Sequence, residues 1–150
     1  MKIALGADHA GYKLKAKIEK YLIDKGISVH DRGTNSVESV DYPDYARFVG
    51  EEVAEQHADR GILVCGSGIG MSIAANKVPG IRAVNVHDEA EAQLCREHND
   101  ANVLTLGARS LDESTALKIV DRWLNAQFAG GRHERRVEKI AEIERAEVAK

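Results

Sequence analysis

The ten residues 61–70, GILVCGSGIG, decide the fold. Their first half is a short apolar run that ends at Cys65, a pattern that predicts a buried β-strand. Glycine then occupies every second position of the segment 66–70, and the residues up to about 77 have the pattern of a helix. A buried strand that turns through glycine directly into a helix is the repeating unit of parallel α/β sheets.

The rest of the chain repeats this alternation on both sides of the segment. Apolar runs predict four more strands, at 3–6, 27–30, 82–86 and 103–106. Helical patterns cover about 9–25, 88–98 and 134–149, and further helices begin near Asp41 and Asp112. The prediction is a three-layer α/β/α Rossmann-like (flavodoxin-like) fold, with a five-stranded parallel sheet and helices on both faces. We expect one domain over 1–150.

Composition excludes several classes of protein. The chain has 150 residues, 24 acidic and 21 basic, with a net charge of -3 and two cysteines. A net negative charge does not suit a general nucleic-acid binder, and two cysteines do not make a disulfide framework or zinc ribbon. No apolar run is long enough to span a membrane, and residues 1–6 do not form a signal peptide. We expect a reduced, cytoplasmic protein that binds neither nucleic acid nor membrane.

Ligands of parallel α/β sheets bind beyond the carboxyl ends of the strands, near the point where strand order reverses. If the order is 2-1-3-4-5, the end of the first strand lies beside the end of the third. Asp8 and His9 would then lie next to Cys65. Helix capping by Asp8, with His9 an idle neighbour, explains the same residues equally well.

The segment 66–70 has the features of an anion cradle, because glycine lets backbone amides converge on a ligand. It matches neither the dinucleotide fingerprint, since Met71 replaces its third glycine, nor a Walker loop. Cys65 faces the cradle, where amides would stabilise its thiolate as a base or nucleophile. The alternatives are a turn that only joins strand to helix, and a cysteine that only packs.

Two further groups of residues carry potential chemistry. Cys95 and His98 have the i, i+3 spacing of half a metal site, but no second pair matches it, so we predict no metal; a cation at a helix end is the other explanation of His98. Basic residues crowd the start of the last helix, where the helix dipole disfavours them. The cluster, which includes Arg132 and Arg136, predicts an anion site, or else a solvated helix of mixed charge.

Six motifs in this order resemble the ribose-5-phosphate isomerase B family and its allose- and galactose-6-phosphate isomerase relatives. They are Gly6-Ala7-Asp8-His9-Ala10-Gly11, Asp41-Tyr42-Pro43-Asp44, Cys65-Gly66-Ser67-Gly68-Ile69-Gly70, Ala74-Ala75-Asn76-Lys77, Glu97-His98-Asn99 and Gly131-Arg132-His133. The resemblance extends from Lys2 to about Ile140. It implies an aldose–ketose isomerase of the pentose phosphate pathway that interconverts ribose 5-phosphate and ribulose 5-phosphate through an enediol, without metal or cofactor.

The resemblance also implies a role for each candidate residue. Cys65 would be the base, assisted by the hydroxyl of Ser67, and the sugar would meet the loop residues Gly66, Ser67, Gly68, Ile69 and Gly70. His98 would open the furanose ring with Asp8 as its counterpart, and Asn99 would contact a sugar hydroxyl. The expected phosphate ligands are His9, Arg109, Arg132 and Arg136.

In this family the site lies between subunits. The resemblance therefore implies a homodimer, or a dimer of dimers, with shared active sites and with the helix of residues 132–150 packed on the partner. Two other functions remain open at the level of sequence. One is isomerisation of a hexose 6-phosphate (allose or galactose), and the other is a non-catalytic flavodoxin-like module that binds a phosphate or nucleotide.

Overall fold

A computed structural model describes all 150 residues. Strands and helices alternate as the sequence predicts, and a sixth helix follows the last unit. The strands are β1 (Lys2–Ala7), β2 (Ser28–Asp31), β3 (Arg60–Cys65), β4 (Ala83–Asn85) and β5 (Val103–Gly107). The helices are α1 (Tyr12–Asp24), α2 (Tyr42–Ala54), α3 (Ile69–Ala75), α4 (Glu89–Asn99), α5 (Glu113–Asn125) and α6 (Arg132–Val148).

All strand pairs are parallel, and the sheet has the order β2-β1-β3-β5-β4. The three-layer α/β/α prediction is confirmed, but the order 2-1-3-4-5 is wrong for the last two strands. Burial explains why β5, and not β4, lies next to β3. Every residue of β5 is buried, whereas β4 has only three residues, two of them half-buried. The fully buried strand takes the interior position, and the short strand takes the edge.

Two hydrophobic cores lie on opposite faces of the sheet. One packs α1, α4 and α5 around a fully buried tryptophan, Trp123, and the other packs α2 and α3. Helix α6 belongs to neither core, because none of its residues is buried. It contacts α4 and receives a hydrogen bond at Glu144 from the amide of Gly80, at 3.0 Å. No helix is both long enough and apolar enough to cross a bilayer.

Two helix starts differ from the prediction in a way that affects the candidate residues. Helix α1 begins at Tyr12 rather than near His9, so Asp8 and His9 lie in the turn after β1. Helix α6 begins at Arg132 rather than Glu134, which places Arg132 at its first position. The cap predicted at Asp112 is confirmed, since its carboxylate accepts the amide of Thr115 at 2.7 Å.

Candidate active site

Cys65 is the last residue of β3. It lies where the carboxyl ends of the strands meet, which we call the carboxyl edge of the sheet (the opposite ends form the amino edge), and its side chain is buried in the second core. Its sulfur accepts a hydrogen bond from the amide of Gly68 at 3.1 Å. Gly68 reaches that position with φ of 81°, in the left-handed region where glycine is the residue of lowest strain. The loop therefore wraps its backbone around the thiol, and a donor to sulfur stabilises negative charge there.

Two side chains on neighbouring strands hold this loop in place by hydrogen bonds to its carbonyl groups. Thr105, fully buried in β5, donates to the carbonyl of Gly68 at 2.9 Å. Asn85, at the end of β4, donates to the carbonyl of Ser67 at 3.4 Å. Ser67 itself is exposed, and its hydroxyl accepts the amide of Ile69 at 3.2 Å. Neither support is among the residues predicted from sequence, although Thr105 is the only polar residue in the run Val103–Leu106.

An arginine and a tyrosine flank the same loop. The guanidinium of Arg109 lies over Gly66, where a Cβ would be 2.8 Å from Nη1. The ring of Tyr42 lies against Gly70, where a Cβ would come within 2.5 Å. Arg109 is thus beside the loop, as predicted. Tyr42 was not a predicted site residue; its position follows from the start of α2 at this edge of the sheet.

Asp8 and His9 also lie at this edge, as the sequence predicts. The amide of Asp8 donates to the carbonyl of Val64 at 3.2 Å, one residue before Cys65. The buried Asp8 carboxylate accepts the amides of Ala10 and Gly11 at 2.9 and 3.1 Å. It therefore orders the turn before α1 but does not cap the helix, because the N-cap is Gly11 and has no side-chain hydrogen bond. His9 Nδ1 accepts the amide of Val40 at 3.2 Å, which leaves Nε2 to carry the proton of the neutral ring.

The remaining candidates lie at the opposite edge of the sheet. Helix α4 runs back from the carboxyl edge, so His98 and Asn99 lie near the amino ends of β4 and β5. Cys65 pairs with Gly107, at the far end of β5. Five strand residues span about 16 Å. One copy of the chain therefore does not bring His98 and Asn99 to Cys65.

His98 stacks on His133, the second residue of α6, with ring centroids 4.2 Å apart and an angle of 12° between the planes. Partial burial lowers the pKa of His133, and the charges of His98, Arg132 and Arg136 lower it further. Both arginines are exposed, and neither forms an ion pair within the chain. This edge thus presents an imidazole pair beside two free guanidinium groups, an arrangement that attracts an anion. The sequence motif contained His133 without assigning it a role.

The predicted site residues therefore form two separate groups in one chain. The carboxyl edge holds a thiol within a loop of amide donors, a buried carboxylate and one arginine. The amino edge holds the imidazoles of His98 and His133 and the exposed guanidinium groups of Arg132 and Arg136. No group of three or more His, Cys, Asp or Glu side chains is arranged to hold a metal ion. Cys95 is buried, and its thiol donates to the carbonyl of Ala92 at 3.3 Å.

A parallel α/β sheet with a glycine loop at the point where its strand order reverses defines a Rossmann-like α/β protein, and the thiol of Cys65 lies in that loop. The chain belongs to the ribose/galactose isomerase family, whose sequence profile matches residues 3–140. The family resemblance stated above is thereby confirmed.

Individual relatives agree with this assignment. The chain is 52% identical to ribose-5-phosphate isomerase B of Escherichia coli (strain K12) over 143 residues, which cover 95% of this chain and 96% of that protein. The structure of ribose-5-phosphate isomerase B from Clostridium thermocellum superposes with a TM-score of 0.96 at 54% identity, covering 97% and 99% of the two chains. That of the Mycoplasma genitalium enzyme with bound ribulose-5-phosphate gives 0.93 at 44% identity, covering 96% of each.

Proposed function

We propose that this protein is an aldose–ketose isomerase that interconverts ribose 5-phosphate and ribulose 5-phosphate. The observation that carries the proposal is Cys65, whose sulfur lies inside the glycine loop and accepts the Gly68 amide at 3.1 Å. Relatives named ribose-5-phosphate isomerase B, one of them solved with ribulose-5-phosphate bound, support the choice of substrate.

The reaction moves one proton between neighbouring carbons. The Cys65 thiolate takes the proton from C2 of the open-chain aldose, and the electron pair left behind forms the enediolate. The amides of residues 66–70 stabilise the charge on oxygen, and the Ser67 hydroxyl assists proton exchange between O1 and O2. The thiol then returns its proton to C1, which gives the ketose. Thiolate and amides supply both base and oxyanion donors, so the proposal needs no metal or cofactor.

The sugar must first open its ring, and its phosphate must be held. We assign ring opening to His98, with Asp8 as its counterpart, and a sugar-hydroxyl contact to Asn99. His9, Arg109, Arg132 and Arg136 bind the phosphate. Binding energy from the phosphate, which is remote from C1 and C2, holds the reacting carbons in place.

These assignments require two copies of the chain. Cys65 and His98 lie at opposite edges of one sheet. A two-fold axis perpendicular to the strands turns the second sheet end for end, so that the amino edge of one copy meets the carboxyl edge of the other. We propose a homodimer, or a dimer of dimers, in which each site takes His98, Asn99, Arg132 and Arg136 from the partner.

The exposed apolar surface of the chain supports this arrangement. A groove of about 670 Å³ separates α6 from the β4 edge, and Ile140 and Ile143 line it while remaining 48% and 65% exposed. On α3, next to the Cys65 loop, Ile69 and Ile73 are 56% and 60% exposed. Contiguous exposed apolar side chains mark protein–protein contacts. The helix of residues 132–150 would thus pack on the second subunit.

The proposed location is the cytoplasm. Cys65 and Cys95 are both free thiols, and the mechanism needs Cys65 reduced. A reducing compartment keeps it so.

The direct test supplies ribose 5-phosphate and follows the appearance of ribulose 5-phosphate. Allose 6-phosphate and galactose 6-phosphate are supplied in parallel, because the family description includes galactose. We expect the highest kcat/KM with the pentose. Faster turnover of a hexose would move the proposal to the hexose 6-phosphate isomerases. Absence of turnover with every sugar phosphate would leave the non-catalytic, phosphate-binding module as the function.

A further inference from the structure

A polar cavity of about 660 Å³ opens at the amino edge of the sheet. It lies between the end of α2, the starts of β3 and β5 and the end of α4. Three arginines line it, namely Arg60, Arg82 and Arg96, and we call it the arginine pocket. None of them belongs to the proposed active site.

The carboxylates around the arginine pocket do not balance its positive charge. Asp100 accepts hydrogen bonds from Arg96 at 2.8 Å and Arg82 at 3.4 Å, so two arginines share one carboxylate. The other acid, Asp59, accepts the backbone amide of Lys2 at 2.7 Å. Arg60 forms no ion pair. Its guanidinium stacks over the ring of Trp123 at 5.3 Å and donates to the Trp123 carbonyl at 3.1 Å.

Arg96 also keeps hydrogen-bonding capacity that the protein does not use. Arg96 is only 7% exposed, and its Nε is buried without a partner. Its Nη1 is occupied by Asp100 and by the carbonyl of Ala101, at 2.8 Å each. Burial and the charge of Arg96 lower the pKa of Arg60 to about 10. Unused donors and uncompensated charge in a partly buried place are costly unless an anion satisfies them.

We propose that the arginine pocket is a binding site for a small organic phosphate, separate from the active site. Guanidinium groups match the geometry of phosphate oxygens with two parallel hydrogen bonds, and the three arginines outnumber the two aspartates that line the same cavity, which leaves a net positive charge for an anion. The volume exceeds that of a bare ion and falls within the usual range of small-ligand sites. Val53, Ala54 and Ala58 form an apolar wall for the organic part.

The test uses amide chemical shifts of the full-length protein in ¹H–¹⁵N spectra, with Arg132 and Arg136 replaced by alanine to weaken phosphate binding at the active site. Inorganic phosphate, glycerol 3-phosphate and citrate are each titrated. We expect both phosphates to shift the amides of Gln56, Gly80 and Asn102, with glycerol 3-phosphate binding more tightly. Citrate, which carries only carboxylates, should bind at least tenfold more weakly than glycerol 3-phosphate.

Variants at Arg60 test whether the phosphate binds in the arginine pocket. Arg60→Gln should weaken glycerol 3-phosphate binding at least tenfold, and Arg60→Lys, which keeps the charge, should weaken it less. Arg47→Gln is the matched control, because Arg47 is exposed on α2 and pairs with Glu51. No shift at Gln56, Gly80 and Asn102 with either phosphate would overturn the proposal, and so would citrate binding as tightly as glycerol 3-phosphate. Shifts confined to residues 66–70 would report the active site alone.

Discussion

Cys65 and Cys95 are both buried, yet their surroundings differ. The sulfur of Cys65 accepts a backbone amide from the glycine loop. Cys95 packs in the core between α4 and α5, where burial raises its pKa to about 11. The first sulfur thus has a backbone donor from the loop, whereas burial disfavours a thiolate at the second.

Replacing each cysteine by alanine should affect turnover differently. Cys65→Ala should lower kcat for ribose 5-phosphate by about 10²- to 10⁴-fold, the usual contribution of a general base, and it should also cost about 1 kcal/mol of stability because this sulfur is buried too. Cys95→Ala should leave kcat nearly unchanged and lower the free energy of unfolding by about 1 kcal/mol, because it removes a buried sulfur. Assays of turnover and urea unfolding separate the two effects. A fully active Cys65→Ala protein would remove this residue as the base.

The role assigned to His98 can be isolated with a sugar that cannot close its ring. In 4-deoxyribose 5-phosphate the hydroxyl that forms the furanose is missing. His98→Asn should lower kcat/KM for ribose 5-phosphate by about 100-fold and should affect the deoxy sugar far less. His57→Asn, at an exposed histidine beside Glu55, is the control and should change neither rate. Equal losses on both sugars would contradict ring opening by His98.

His133 should respond to pH and to phosphate. Its folded-state pKa lies below the ordinary value of 6.5, because of partial burial and the charges of His98, Arg132 and Arg136. The unfolded chain therefore binds the proton more readily, and this contribution to stability is present above 6.5 and declines as the pH falls below it. Phosphate bound at the two arginines should raise the pKa, as measured from the imidazole signal by NMR. A pKa of 6.5 or higher without phosphate would contradict the assignment.

The glycine loop shows at the level of one element why residue type matters at each position. Gly68 has φ of 81°, and a Cβ there would be 2.3 Å from Asn85 Oδ1 and 2.9 Å from the Leu106 backbone. The three atoms nearest to a Cβ on Gly66 all belong to the guanidinium of Arg109, the end of a flexible side chain. The fold therefore requires glycine at position 68, and glycine at position 66 leaves space for Arg109.

Alanine at these two glycines should therefore have different consequences. Gly68→Ala should lower the free energy of unfolding by about 2 kcal/mol or more, from backbone strain and contact with Leu106. Gly66→Ala should change stability by less than about 1 kcal/mol but raise KM for ribose 5-phosphate, because Arg109 must move. Urea unfolding and steady-state kinetics measure both. Similar stability losses in the two variants would contradict the geometry described for the loop.

At the same scale, sequence predicted the number and type of the five strand–helix units, because each is specified by its own apolar pattern and turn residues. The order of β4 and β5 was beyond that reasoning, since it depends on which strand is buried between two others. Thr105 and Asn85 were missed for a related reason. They support the loop across strand pairs, and sequence spacing does not reveal such contacts.

At the scale of the whole molecule, the candidate residues divide between the two edges of one sheet. Each motif can be recognised along the chain, but the distance between the motifs depends on the direction of α4, which carries His98 back to the amino edge. Reconstituting the proposed site therefore requires a second subunit. The apolar residues left exposed on α3 and α6 are suitably placed to hold it.

The most direct measurement of this account is subunit complementation. Cys65→Ala and His98→Asn proteins are each expected to be nearly inactive with ribose 5-phosphate. After the two are mixed and their subunits exchanged, half of the dimers are hybrids, and each hybrid contains one site with both native residues. We predict recovery of about a quarter of the wild-type activity. If exchange is complete, as mass spectrometry would show, and activity stays at the level of the separate variants, the shared site is wrong.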